Sequence, residues 1–191
     1  MRKRGKRFLK TAALILTAAG FIAGARLWYV QEQGNFHTVT KGEAYRSAQL
    51  DTDGLNRYIK KYGIRSIVNL RGEHISDYWY QEEIRISNEN NVRHYDLRLD
   101  ASKSPDREQI NRLISIFRSA ERPVLLHCKA GADRAGLASA IWLTVIDGRP
   151  KSEADDQLSI KYGHMPVGPT QAMDRFFSKW EPPVLKAELS F

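Results

Sequence analysis

Apolar and polar positions along the chain follow two spacings, one typical of strands and one of helices. Short apolar runs bounded by turn residues predict buried strands over residues 64–70, 92–99 and 123–127. Apolar residues three and four apart predict amphipathic helices over residues 55–62 and 106–120, and a helix with aromatic residues at its start is predicted over residues 76–90. Three further helices are predicted over residues 137–146, 152–162 and 170–180. The first of these is apolar on nearly every side, so it is expected to be buried.

Strands that alternate with helices indicate an α/β fold with a mainly parallel central sheet flanked by helices. Residues 44–49 are predicted to form an edge strand and a turn. Ligands of such sheets bind beyond the carboxyl ends of the strands. The predicted strands end near Arg71, Asp100 and Cys128, so these side chains are expected to meet at one edge of the sheet.

The only cysteine of the chain, Cys128, is predicted to lie between a buried strand and a buried helix. A loop containing Gly131 follows it, and Arg134 opens the helix. The first turn of a helix has unpaired N–H groups and the positive end of the helix dipole, so this junction favours an anion. An arginine there can bind phosphate through two parallel hydrogen bonds. Cys128 is therefore a candidate nucleophile, acting as its thiolate.

This stretch resembles the signature of the cysteine-dependent protein tyrosine and dual-specificity phosphatases, which is His-Cys, five residues and Arg. His127, Cys128 and Arg134 match it, and Gly131 and Gly136 occupy family positions. The Tyr-Arg-Ser of residues 45–47 resembles an element of the atypical dual-specificity type. The resemblance implies a bacterial-like phosphatase in which a phosphocysteine forms at Cys128. It also implies a phosphate-binding loop made by Lys129, Ala130, Gly131, Ala132, Asp133 and Arg134.

Three aspartates are candidates for the acid that protonates the leaving oxygen. Related phosphatases use a loop aspartate after a strand, and Asp100 fits that position. Asp96 lies within a predicted strand, which favours a structural role. Asp133 lies inside the loop, where it is able to orient water or hold Arg134.

Two further residues are expected to support the site. His127 is interpreted as a buried residue that orients the loop, on the opposite side of its strand from Cys128. Arg71 is expected either to help bind phosphate or to form a structural ion pair. One position departs from the family pattern: the residue after the signature arginine is usually Ser or Thr, and here it is Ala135. The resemblance implies that this hydroxyl assists breakdown of the phosphocysteine, so slow turnover is expected here.

Composition limits the partners and cofactors. The formal net charge is +8, but six cationic residues lie within the first ten positions and the rest of the chain is nearly balanced. No basic stripe with aromatic residues follows, so a nucleic-acid partner is not expected. The five histidines have no metal-ligand spacing, and the expected mechanism needs neither a metal nor another cofactor.

The N-terminal segment, residues 1–30, combines a basic cluster with an uncharged apolar run. It predicts a single-pass membrane anchor or a cleaved secretory signal, with the catalytic domain outside the cytoplasm in both cases. A linker over residues 31–37, a phosphatase domain over 38–183 and a tail over 184–191 complete the predicted organisation.

The predicted function is that of a protein tyrosine or dual-specificity-type phosphatase. Its expected substrates are proteins with phosphotyrosine or phosphoserine, or a phosphorylated lipid or sugar. Two alternatives remain open at the level of sequence. One is a non-catalytic phosphate-binding module, suggested by Ala135, and the other is a rhodanese-like sulfurtransferase.

Overall fold

The structure, a computed structural model, describes residues 33–183 and six helical positions between residues 14 and 24. Its contacts divide the chain into two units, Met1–Gln33 and Gly34–Phe191. Most of the predicted N-terminal segment, and the predicted tail over residues 184–191, lie outside the described residues. No helix among the described residues is both long and apolar enough to span a bilayer.

Strands and helices alternate through residues 33–183. The strands are β1 (His37–Thr40), β2 (Ala44–Ser47), β3 (Ser66–Asn69), β4 (Arg93–Asp96) and β5 (Val124–His127). The helices are α1 (Thr52–Tyr62), α2 (Tyr78–Glu89), α3 (Arg107–Ser119), α4 (Asp133–Val145), α5 (Lys151–Ala154) and α6 (Ala172–Lys179). Three 3₁₀ turns follow α5, at Asp155–Gln157, Ile160–Tyr162 and Gly168–Gln171.

The strands form one sheet in the order β1-β2-β5-β3-β4, and every pair except β1 with β2 is parallel. The predicted α/β fold with a mainly parallel sheet is confirmed. The predicted edge position of residues 44–49 is wrong, because β1 covers that side of β2. The sequence did not predict β1, because its four residues, His-Thr-Val-Thr, are few and mostly polar. They lie where the predicted linker meets the predicted start of the domain.

Alternate residues of β5 point to opposite faces of the sheet, as the strand pleat requires. Leu125 packs with Leu55 and Ile86 of α1 and α2. Leu126 and Cys128 belong to the larger core on the other face, together with Trp142 and other residues of α3, α4 and α6. Helices therefore cover both faces, and the carboxyl edge of the sheet stays free for a site.

The predicted continuous helix over residues 152–162 is wrong. The helix α5 ends at Ala154, and the backbone leaves helical geometry at Leu158, with φ −103° and ψ 63°. The carbonyl of Gln157 instead accepts a hydrogen bond from the side chain of Arg46 on β2. A contact between distant parts of the chain thus overrides local helical spacing.

Candidate active site

The loop between β5 and α4 carries Cys128, which is 1% exposed. All four carbonyl oxygens of residues 129–132 accept hydrogen bonds from groups outside the loop. The carbonyl of Lys129 accepts from the backbone N–H of Gln49 at 3.2 Å. The carbonyl of Ala130 accepts from Asn35 Nδ2 at 2.9 Å.

Arg46 holds the other two carbonyls of this loop. Its Nη2 donates to Gly131 at 2.8 Å and to Ala132 at 3.0 Å. In a planar trans peptide the N–H points opposite to the carbonyl of the preceding residue. The N–H groups of residues 130–133 are therefore turned away from all of these donors. Consecutive N–H groups presented in this way form an anion-binding nest.

Arg46 is a fully buried cation at 0% exposure. Its Nη1 donates to the carbonyl and to Oε1 of Gln157, both at 2.8 Å, and its guanidinium lies 4.3 Å from the ring centroid of Tyr162. Burial lowers the pKa of Arg46 to about 10, so the side chain remains charged at neutral pH. The Tyr-Arg-Ser element thus supplies the cation that orders the loop.

Gly131 is required by the close approach of the loop to β2. Its φ is +71°, and a Cβ at this position would lie 2.5 Å from the backbone nitrogen of Ala48. Any other residue would push the loop off the strand, because the obstructing atoms belong to the backbone.

Arg134 lies in the first turn of α4 and has few partners. Its Nη1 makes only long hydrogen bonds, to the carbonyls of Leu70 at 3.5 Å and Leu99 at 3.3 Å. Its Nε is buried without a partner among the described residues. The guanidinium is thus able to donate two parallel hydrogen bonds to an anion.

An open cleft of about 350 Å³ lies beside the loop. Arg71, Asp100, Lys129 and Arg134 all line it, so the structure brings together the cation, the acid candidate and the loop that the sequence placed at one edge. His74 and Arg98, which sequence reasoning did not select, also line it.

Asp100 is exposed at the rim of this cleft. Its Oδ1 accepts from both the backbone N–H and the Oγ of Ser102, at 2.9 and 2.7 Å. These hydrogen bonds lower the pKa of Asp100, and the charges of Lys103 and Arg134 lower it further. Its carboxyl is thus ionised at neutral pH, and a role as an acid requires a nearby negative charge, such as a phosphate dianion, to raise its pKa.

Glu83 of α2 is 3% exposed and links His127 to Arg71. Its Oε1 accepts from Nε2 of His127 at 3.0 Å, and its Oε2 accepts from Nε2 of Gln49 at 2.6 Å. The Oε1 of Gln49 in turn accepts from Nη1 of Arg71 at 3.2 Å. The buried carboxylate therefore positions a residue next to Cys128 and a cation of the cleft.

His94 extends this network toward Asp96. Its Nε2 lies 2.8 Å from Glu83 Oε1 and its Nδ1 lies 3.4 Å from Asp96 Oδ2. Burial opposes the charged ring, but the hydrogen bonds and charges of Asp96 and Glu83 raise the pKa of His94 to about 9. Burial also opposes ionisation of Glu83, yet His127 and His94 lower its pKa well below the usual range. Asp96 accepts from Tyr80 and Asn69 as well, which gives it a structural role.

One group of side chains among the described residues is close enough to hold a metal ion. It consists of Glu83, His94 and His127, whose ligand atoms lie within 4.8 Å of one another. Oε1 of Glu83 already accepts a hydrogen bond from each of the two imidazoles. Hydrogen bonding alone accounts for this grouping.

The side chain of Asp133 is held in place by His164. His164, fully buried, places Nδ1 2.7 Å from Asp133 Oδ1 and Nε2 2.9 Å from Asp174 Oδ2. Since both ring nitrogens face carboxylates, both donate, and the ring is an imidazolium. Burial opposes this charge, but the two aspartates raise the pKa of His164.

Sequence reasoning missed Gln49, Glu83, His164 and Asp174. Each contacts the loop or the cleft through a partner at least ten positions away, and no local spacing marks such a pair. The buried role of Arg46 was signalled only by the Tyr-Arg-Ser resemblance.

The sheet and the cysteine loop together define a phosphatase of the DSP-PTPase class. The chain belongs to the family described as DSP-PTPase phosphatase fused to NAD+ kinase, whose model matches residues 26–172. A comparison with curated protein sequences gives no match.

Several solved structures share the fold. TpbA from P. aeruginosa is 22% identical with a TM-score of 0.60, over 77% of this chain and 85% of that one. The catalytic core of the PP-IP phosphatase Siw14 from S. cerevisiae is 19% identical with a TM-score of 0.61, over the same shares. Tk-PTP is 18% identical with a TM-score of 0.58, over 76% of this chain and 98% of that one.

Proposed function

We propose that the protein is a phosphomonoester hydrolase of the protein tyrosine or dual-specificity type that works through a phosphocysteine at Cys128. The observation that carries this proposal is the loop whose four carbonyls are all held outward, so that its N–H groups are available to a phosphoryl group. Arg134, whose Nε has no partner within the described part of the chain, supports the same conclusion. Donors fixed before the reaction stabilise developing charge without reorganising.

In the proposed reaction the thiolate of Cys128 attacks phosphorus in line. The P–O bond to the leaving group breaks as the S–P bond forms, and Asp100 transfers its proton to the leaving oxygen. Water then attacks the phosphocysteine and gives its proton to the Asp100 carboxylate. Inorganic phosphate leaves, and the thiolate is restored.

Proteins with phosphotyrosine or phosphoserine, phosphorylated lipids and phosphorylated sugars remain the proposed substrates. A TpbA variant has been solved in complex with pTyr, and Siw14 is a PP-IP phosphatase. Both neighbours support a substrate in which a phosphoryl group is transferred from oxygen.

The test is hydrolysis of p-nitrophenyl phosphate together with acid quenching. Cys128→Ser should lower turnover by several orders of magnitude, and quenched wild-type protein should carry a phosphoryl group on Cys128. Arg134→Lys should also be severe, since an ammonium lacks the planar fork, whereas Arg118→Lys on the exposed side of α3 serves as the control. Near-normal turnover of Cys128→Ser would exclude the mechanism.

A second candidate is a non-catalytic phosphate-binding module, favoured by the methyl group of Ala135, which is 0% exposed next to Arg134. Rapid alkylation of Cys128 by iodoacetate, slowed by vanadate, is expected of the enzyme. Slow alkylation and no turnover are expected of the binding module. The family match, which is to phosphatases, does not favour a sulfurtransferase.

We also propose that the catalytic domain lies outside the cytoplasm, on the strength of the basic cluster and apolar run of residues 1–30. A reporter that is active only outside the cytoplasm, fused after Phe191, should be active. Activity of a cytoplasm-only reporter at the same position would contradict this topology.

A further inference from the structure

The cleft beside Cys128 contains more positive charge than one phosphoryl group needs. Four permanent cations line it, Arg71, Arg98, Lys129 and Arg134, against the single carboxylate of Asp100. None of the four forms an ion pair with a carboxylate among the residues that the structure describes. Asp100 itself is paired with Lys103, at 3.8 Å.

A reacting phosphomonoester carries at most two negative charges and the thiolate one. Arg134 and the N–H groups of the loop are placed to balance the reacting group. Among the described residues, Arg71, Arg98 and Lys129 are then left without an ion-paired carboxylate, although the more distant charges of Glu83 and Asp77 act on Arg71. Cations held together without an anion repel each other, so the cleft favours a ligand with further negative charge.

Arg71 is fixed in place before any ligand binds. Its guanidinium lies 3.6 Å from the ring centroid of Trp79, and Gln49 Oε1 accepts from its Nη1. Burial and the charge of Arg134 lower the pKa of Arg71, and together they outweigh the opposite effect of Glu83 and Asp77. A side chain already held loses little conformational entropy on binding an anion.

Arg98 is brought to the same rim by the turn after β3. Gly72 has a φ of +79°, and a Cβ there would lie 2.6 Å from the Cβ of Arg98. The side chain of Asn69 fixes this turn, accepting from the N–H of Arg71 and donating to the carbonyl of Gly72, both at 2.9 Å. Arg71 and Arg98 therefore occupy neighbouring positions set by the backbone.

We propose that Arg71 and Arg98, with Lys129, form a subsite for a second phosphoryl group of the substrate. The substrate class is then a compact polyanion with two phosphoryl groups a few bonds apart, rather than an isolated phosphomonoester. This inference rests on the proposed function, because it takes the loop and Arg134 as the site of the reacting group.

The test is calorimetric binding of inorganic phosphate and inorganic pyrophosphate to Cys128→Ser, in metal-free buffer at constant ionic strength. Pyrophosphate should bind at least about tenfold more tightly than phosphate. Adding Arg71→Gln or Arg98→Gln should lower pyrophosphate affinity severalfold and change phosphate affinity much less. Arg118→Gln, which removes the same charge from the exposed side of α3, should change neither.

Equal affinities for the two anions would overturn the subsite. The subsite would also be overturned if Arg71→Gln and Arg98→Gln lowered the affinities for phosphate and pyrophosphate by the same factor. The same holds if Arg118→Gln lowered pyrophosphate affinity as much as they do. Because binding needs no turnover, these outcomes leave the hydrolase proposal intact if wild-type protein cleaves p-nitrophenyl phosphate. If the wild type does not cleave it, the proposed function fails and this inference fails with it.

Discussion

The buried guanidinium of Arg46 donates a hydrogen bond to the carbonyl oxygen of Gly131 across 2.8 Å. The donor is on β2 and the acceptor is in the loop after β5, 85 residues away in the chain. This contact turns the carbonyl outward and the following N–H toward the opposite side. A residue outside the cysteine signature therefore sets the shape of the candidate phosphate site.

Arg46→Met should abolish most activity and destabilise the fold. Methionine fills similar space but leaves the carbonyls of Gly131 and Gln157 without their donor, and that of Ala132 with only the N–H of Gly136, which should cost about 3 kcal/mol. Urea unfolding and turnover of p-nitrophenyl phosphate measure the two effects. Arg57→Met, at an exposed position of α1, is the matched control. Full activity of Arg46→Met would show that the loop keeps its shape without this cation.

Ser102→Ala tests Asp100 as the acid through its pKa. The Ser102 hydrogen bond favours the ionised carboxylate and lowers the pKa of Asp100, so its removal should raise that pKa. The alkaline limb of kcat/KM should then move to higher pH. Ser115→Ala, exposed on α3, should leave the limb in place. An unchanged limb in Ser102→Ala would remove Asp100 from the mechanism.

The dependence of the hydrolysis rate on the leaving group distinguishes Asp100 from Asp133 as the acid. Asp100→Asn should slow the hydrolysis of phenyl phosphate by about 10²–10⁴-fold. The hydrolysis of p-nitrophenyl phosphate should be slowed far less, because nitrophenolate leaves without a proton. Asp133 is committed to the His164 imidazolium, so Asp133→Asn should slow both substrates by similar factors. The reverse pattern would assign the acid to Asp133.

Glu83→Gln should impair catalysis, because His127 and Arg71 would be held less firmly in position. The amide loses the negative charge that holds His127 and His94, and its NH₂ group opposes that of Gln49, which positions Arg71. We expect kcat to fall about tenfold to a hundredfold and KM to rise. Glu82→Gln, which weakens the pair with Arg85 and a hydrogen bond with Thr52 but leaves the Glu83 network in place, is the control. Slower alkylation of Cys128 by iodoacetate in Glu83→Gln alone would distinguish positioning from general destabilisation.

The stability of the protein should fall as the pH rises from about 6.5 to about 9. Asp96 and Glu83 raise the pKa of folded His94 from 6.5 to about 9 against the effect of burial, so the charged ring stabilises the fold below 6.5. That contribution, at most about 3 kcal/mol, is lost as pH passes through the folded pKa. Urea unfolding across this range should give a flatter profile for His94→Gln. Parallel profiles of the two proteins would contradict the assignment.

Ala135 suggests that breakdown of the phosphocysteine limits turnover, because the family resemblance implies a hydroxyl at this position. Rapid mixing should show a burst of nitrophenol before a slower steady rate. Ala135→Ser should raise the steady rate and shrink the burst, and serine is preferred to threonine because the position is fully buried. If no burst is seen and Ala135→Ser behaves as the wild type does, the missing hydroxyl has no kinetic consequence.

The parts of the fold that depend on local sequence could be predicted. The spacing of Leu113 and Phe117 marked α3, the apolar run before Cys128 marked β5, and both were found. Parallel strands, whose carboxyl ends share an edge, predicted that Arg71 and Asp100 meet the loop of Cys128, and one cleft is lined by both residues and by that loop. The signature placed Cys128 and Arg134 because its geometry is carried within seven consecutive residues.

The parts that depend on distant contacts could not be predicted. A buried arginine on a central strand contradicts the usual preference for apolar residues, and Arg46 is tolerated only because Gln157, Gly131 and Ala132 accept its hydrogen bonds. The same contact breaks the helix predicted over residues 152–162. The ties of Glu83 and His164 to the loop likewise become visible only when the chain is folded.

The outward carbonyls of the loop have a consequence for how such a protein diverges during evolution. In the proposed reaction the peptide groups of the loop contact the reacting phosphoryl group, so the half-buried side chain of Ala130 is able to vary without removing any of these contacts. Gly131 and the distant Arg46 are not free to vary, since the path of the backbone depends on both. Lineages that keep these two residues, together with Cys128 and Arg134, are expected to retain the proposed chemistry while the rim around the site adapts to new substrates.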